Sequence, residues 1–201
     1  MAQRPCISAQ RTGDAGGLKL WKKERRIKPH IILLRGLTPT GKNKVMMAPL
    51  RAALQDAGLR QVQTYIQSGN VLAATALNPR ATEALVHRVI QDLLGADITV
   101  LVRPAAYFQT VMANNPFDGA DPAKLYFTLL AREPEAASLQ AFRALELAPD
   151  QVQVVGDMAY VLCATKYSDL KANNNFIERK LKVAATTRNF NTMAKLRALS
   201  T

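Results

Sequence analysis

The sequence predicts an α+β fold of two ferredoxin-like (α-β plait) subdomains packed together, and three observations point to it. The 201 residues carry 48% hydrophobic and 21% charged side chains, ordinary proportions for a chain with a core. Between residues 30 and 103, short apolar runs alternate with stretches of helical period in the order β-α-β-β-α-β. Residues 104–201 then repeat most of that order.

The elements follow in turn. HIILLR (30–35) is a strand bounded by Pro29 and Gly36. A loop, GLTPTGKNK, leads to a helix over 47–58, whose Met47, Leu50, Leu54 and Ala57 share one face and which Gly58 ends. Strands over 61–67 and 71–75 are joined through Ser68-Gly69-Asn70. Asn78 is an N-cap and Pro79 the first residue of a helix with a Leu85/Val89/Leu93 stripe, closed by Gly95. ITVLVR (98–103) is the last strand of this half. In the second half come a short helix (105–114), a strand (125–131), a helix (134–145), strands (151–155 and 158–164) turning at Gly156-Asp157, and helices over 170–181 and 188–199. The expected domains are a mobile basic extension (1–29), a first subdomain (30–103) and a second (104–201) with C-terminal helices.

The net charge of +12 is unevenly placed. Residues 1–30 hold eight Lys/Arg against two Asp/Glu, as do residues 166–201, while the middle is balanced. Basic ends suit a solvated face or attraction to a polyanion such as nucleic acid. Two cysteines, Cys6 and Cys163, supply neither a disulfide framework nor a zinc site, which points to a reducing, cytoplasmic setting. The sequence offers no secretory signal and no apolar run of about 18 residues, so no membrane association is expected. No cofactor or metal is implied.

Four polar segments carry the functional reading. Gly36-Leu37-Thr38-Pro39-Thr40-Gly41-Lys42-Asn43 matches G-x-x-x-x-G-K after a strand. Asn43 replaces the Mg²⁺-binding hydroxyl and the helix starts too late, so an anion-binding loop using Arg35 and Lys42, or a plain turn, fits better than a nucleotide-hydrolysing P-loop. Gln67-Ser68-Gly69-Asn70 gathers hydrogen-bonding side chains at a tight turn. Lys171, Asn174, Asn175 and Glu178 fall at helical spacings in KANNNFIERKL and form a polar surface. The adjacent Asn residues, poor helix formers, suggest a cap or a contact. Thr187 is a natural N-cap for the last helix, placing Arg188 and Asn189 in its first turn, where free amides favour an anion; an ion pair of Arg188, to Glu178 for instance, serves equally. No G-x-S-x-G, H-E-x-x-H or C-x-x-C is present, and strands 31–35 and 71–75 lack the aromatics of an RNA-recognition motif.

Taken together, HIILLRGLTPTGKNKV, TYIQSGNVLAA, ANNPF and KANNNFIERKLKVAATTRNFNTMAKL resemble the bacterial domain-of-unknown-function family 1697 over residues 30–199. Pro39 and Thr40 depart from that family's Gly-rich LLRGINVGGKN, and Phe190 stands where it usually has Trp. The resemblance implies two α-β plait subdomains and no reaction. It suggests one shared site made of Arg35, Gly36, Gly41, Lys42, Asn43, Gln67, Ser68, Gly69, Asn70, Lys171, Asn174, Thr187, Arg188 and Asn189. Three roles compete: binding of a phosphorylated ligand or nucleic acid in a cleft between subdomains, an enzyme on a phosphorylated or carboxylated metabolite with Lys171 as base, and an assembly role.

Overall fold

The computed structural model describes residues 26–36, 46–67, 69–95 and 97–199. Its first half runs β1 (Lys28–Leu34), α1 (Met47–Asp56), β2 (Arg60–Tyr65), β3 (Asn70–Thr75), α2 (Pro79–Leu94) and β4 (Val100–Pro104). The helix α3 (Ala105–Ala113) leads to the second: β5 (Leu125–Leu130), α4 (Ala136–Arg143), β6 (Gln151–Val155), β7 (Met158–Leu162), α5 (Asn174–Leu181) and β8 (Ala185–Asn189). The helix α6 (Phe190–Leu199) closes the described chain.

Each half makes a four-stranded antiparallel sheet, ordered β2-β3-β1-β4 and β6-β7-β5-β8. The two orders are the same permutation, so the β-α-β-β-α-β pattern expected of the first half holds for both. The ends of the helices follow local chemistry. Asn78 Oδ1 accepts from Ala81 N at 2.8 Å, and Gly95 at φ +62° ends α2. Asn173 caps α5 in the same way, accepting from Phe176 N at 3.1 Å.

Three cores stack through the molecule. Ile32, Leu34, Val71 and Val102 bury the outer face of the first sheet against Leu50, Leu54, Val86 and Ile90 of α1 and α2. Ala159, Val161 and Ala185 do so for the second sheet against Phe142, Ile177 and Leu181 of α4 and α5. Alternation along each strand sends the remaining side chains inward. There Ile31, Leu33, Leu101, Phe127, Leu129 and Tyr160 meet Phe108 and Val111 of α3 and Met193 and Leu196 of α6 in one shared core. The halves are therefore joined by a common apolar layer.

Three expectations are corrected. Lys28 and Pro29, placed in the basic extension, belong to β1; residues 1–25 lie outside the described residues. The helix expected over 170–181 starts at Asn174, behind a 3₁₀ turn at Tyr167–Asp169, because Asn173 caps it. The helix expected from Arg188 begins at Phe190, since Ala185–Asn189 pairs with β5 as an edge strand. Thr187 is thus no N-cap. Its β-branched side chain faces Thr128 across the ladder, hydroxyl to hydroxyl at 2.8 Å, as strand residues do. The cap falls two residues later, where Asn189 Oδ1 accepts from Thr192 N at 2.9 Å.

Candidate functional site

The end of β1 and the β2–β3 turn meet β8 and the start of α5 around a cleft of about 530 Å³. Antiparallel pairing delivers these pieces to one end of the sheets. Leu34 N donates to Gly69 O at 2.8 Å, fixing Arg35 and Gly36 beside the turn, and β8 carries Thr186 to Asn189 past them. One wall is Arg35, Gly36 and Ile66. Asn174 and Asn175 of α5, Thr186, Thr187, Arg188 and Asn189 of β8 and Thr192 of α6 also line it. Tyr126 and Tyr167 complete the lining and lie against each other, ring centroids 4.5 Å apart and planes tilted by 34°.

Arg188 is the buried centre of the arrangement, 8% exposed. Its Nε donates to Asn70 Oδ1 at 2.6 Å. Nη1 donates to Thr186 Oγ1 and to Thr187 O, both at 2.8 Å. Nη2 donates to Leu34 O at 3.1 Å and Gly69 O at 3.3 Å. The planar fork thus ties β8 to β1 and the β2–β3 turn, which a lysine could not do. Burial pulls the guanidinium pKa down to about 10, still a cation at neutral pH. The suggested Arg188–Glu178 pair is not formed.

Glu178 is instead held by Arg35, whose Nη2 donates to Glu178 Oε2 and, at 3.1 Å, to Asn175 Oδ1. The other Glu178 oxygen accepts from Ala185 N at 2.6 Å, tying α5 to the start of β8. Arg35 lines the cleft, and its Nε is buried without a hydrogen-bond partner among the described residues. Neutral polar groups surround the two cations. Thr187 Oγ1 donates to Asn174 Oδ1 at 3.0 Å, and Asn174 N donates to the Tyr167 hydroxyl at 3.2 Å. Burial raises the Tyr126 phenol above its ordinary value, so it stays protonated.

Of the residues expected to share a site, Arg35, Gly36, Asn174, Thr187, Arg188 and Asn189 line the cleft, and Gly69 and Asn70 join it through Arg188. Gln67 is exposed at the turn and outside the lining. Lys171 points away, its Nζ donating to Glu146 O at 3.2 Å. It precedes α5 rather than sharing its face. Gly41, Lys42, Asn43 and Ser68 lie outside the described residues, as does the rest of the G-x-x-x-x-G-K loop after Gly36. Sequence reasoning missed Ile66, Tyr126, Tyr167, Thr186 and Thr192. Ile66, Thr186 and Thr192 lie inside the segments that carry the family resemblance without being singled out there, and Tyr126 lies in the strand expected over 125–131. Among the described residues no three His, Cys, Asp or Glu side chains group as metal ligands, and no helix is long and apolar enough to cross a membrane.

A conserved bacterial protein, SP0830 from Streptococcus pneumoniae, has a similar solved structure, with TM-score 0.68 and 21% identity over 87% of this chain and 98% of that one. At that identity the likeness shows the fold. No curated protein matches the chain. Residues 27–160 match the family described as Protein of unknown function (DUF1697). With two thirds of its length matched, the chain belongs to the DUF1697 family.

Proposed function

We propose that the cleft between the halves binds a small anionic ligand bearing a phosphate or carboxylate group. The observation that carries this reading is Arg35: one face of its guanidinium holds Glu178, while its buried Nε has no acceptor among the described residues. An unsatisfied buried donor costs about 1–3 kcal/mol, and an oxygen acceptor supplied by a ligand removes that cost. Arg188 stands on the same lining without pairing with Glu178, which holds Arg35, so among the described residues the two guanidiniums outnumber the carboxylate beside them and the cleft is net positive. Charge-assisted, forked donors of this kind suit phosphate and carboxylate oxygens. The Asn and Thr side chains around them supply orienting hydrogen bonds.

Binding is the reading favoured over catalysis: the described lining residues include no His, Cys, Asp, Glu or Lys, and besides the two arginines the titratable groups there are the Tyr126 and Tyr167 phenols. A concavity of about 530 Å³ suits a small molecule better than a nucleic-acid strand, which asks for an extended basic groove.

The test is a thermal-shift panel of inorganic phosphate, pyrophosphate, sugar phosphates and carboxylates. A ligand at a hundred times its Kd stabilises by about 2.7 kcal/mol, which is roughly 5–11 °C in Tm for a chain of this size. The shift is expected to shrink with added salt and in Arg35→Gln. A panel in which no anion moves Tm removes the proposal.

A further inference from the structure

We infer that Asn70 sets the charge of this cleft, as an amide standing where the other half of the molecule holds a carboxylate. The inference rests on the anion-binding reading above and names the residue that makes it possible.

The halves are tied together by two arginine clamps that correspond to one another. Arg188, the fourth residue of β8, reaches the first half; Arg103, the fourth residue of β4, reaches the second. Arg188 Nη2 meets the carbonyl of Leu34, the last residue of β1, at 3.1 Å. Arg103 Nη2 meets the carbonyl of Leu130, the last residue of β5, at 2.6 Å. In each clamp Nε donates to the residue that follows the turn glycine: Asn70 Oδ1 at 2.6 Å after Gly69, and Asp157 Oδ2 at 2.9 Å after Gly156. Both glycines have positive φ, +77° and +58°, a conformation that favours glycine at the turn.

The clamps differ in charge. Asp157 neutralises Arg103, Glu83 lies 3.6 Å from it, and the Tyr107 hydroxyl donates to Asp157 at 2.7 Å, making a self-contained ionic cluster. Asn70, fully buried, offers Arg188 the same acceptor oxygen with no charge, and its Nδ2 donates to Tyr65 O at 3.1 Å. A purely structural clamp works with a carboxylate, as Asp157 demonstrates. The amide preserves the tie and leaves the guanidinium's charge to the cleft that Arg188 lines.

Pyrophosphate binding by the full chain, followed calorimetrically at low and moderate salt, tests this. Asn70→Asp is expected to weaken binding at least tenfold and to flatten its salt dependence. Asn70→Ser, which also loses the Tyr65 contact but adds no charge, is expected to weaken binding less than Asn70→Asp and to keep its salt dependence. Asp157→Asn, in the other clamp, leaves binding unchanged. Should Asn70→Asp not fold, Asn189→Asp delivers a charge to the same lining while keeping the cap on Thr192, and the same tenfold loss is expected. Wild-type affinity in a folded Asn70→Asp or Asn189→Asp protein overturns the inference and leaves the binding site standing. Failure of the wild type to bind pyrophosphate or any other anion overturns both.

Discussion

Replacing Arg188 by leucine is the sharpest perturbation of the fold that the structure offers. The substitution removes five N–H donors and leaves Asn70 Oδ1, Thr186 Oγ1 and the carbonyls of Thr187, Leu34 and Gly69 facing an aliphatic chain. Hydrogen bonds to a charged group each contribute about 1.5–3 kcal/mol net, but the sum is not the cost. Removing the buried cation also relieves its desolvation penalty, seen in the lowered guanidinium pKa. The acceptors left behind are neutral and cost about 1–3 kcal/mol each where they stay unsatisfied, so after that relief the net loss is about 3–5 kcal/mol. At 2–4 °C per kcal/mol, Tm falls by roughly 6–20 °C. Arg188→Lys keeps the charge but only one point of contact, and falls between the two. Urea unfolding followed by far-UV circular dichroism measures the change. Because Phe127, Leu129 and Ile31 belong to one core shared by both sheets, the transition stays single. A loss under 1 kcal/mol, or a variant in which one half melts separately, would refute the clamp and the shared core respectively.

Two further outcomes follow from other residues. Glu178→Gln removes the carboxylate that holds Arg35, so stability drops by about 1–3 kcal/mol in a melt while pyrophosphate affinity rises; an unchanged or lower affinity contradicts the charge balance assigned to the cleft. The Cys163 thiol is pushed up from 9 to about 11, by burial first and by Asp150 second. The folded chain therefore binds more protons than the unfolded one in that window. The thiol's contribution is whole below pH 9 and is lost as the pH rises towards 11. Cys163→Ala is expected to show a shallower alkaline fall in stability than the wild type, and parallel pH profiles contradict the buried-thiol reading.

Most of the first half was legible because its signals are local and strong. Asn78-Pro79 at a helix start, Gly95 at its end and the run IILL of a doubly covered strand each have one physical reading. The strand β8 was not, because ATTRN is short, polar and at a sheet edge, and its register comes from β5, about sixty residues earlier. That one misreading put Thr187, Arg188 and Asn189 on a helix, yet the polar segment still reached the cleft, since a strand end and a helix start share the same place in the chain. Lys171 went astray for the opposite reason. Extending the helix back to residue 170 laid it on the face of Asn174 and Glu178, whereas capping at Asn173 turns it towards Glu146. Tyr126 carried no signal, because an aromatic in an apolar strand is core by default, and Tyr167 sits in a short 3₁₀ turn whose sequence gives no local reason to single it out. Nor could local pattern show Arg188 meeting Asn70, 118 residues away, or that Asn70 and Asp157 occupy matching places.

The most direct measurement is a pyrophosphate titration of the isotopically labelled chain followed by amide and arginine side-chain NMR. Saturable shifts should appear at Arg35 Nε and at Gly36, Asn174, Thr187 and Asn189, and diminish as salt is added. Shifts centred on the Arg103–Asp157 cluster, or spread over the exposed lysines with the cleft silent, would show that the anion binds elsewhere.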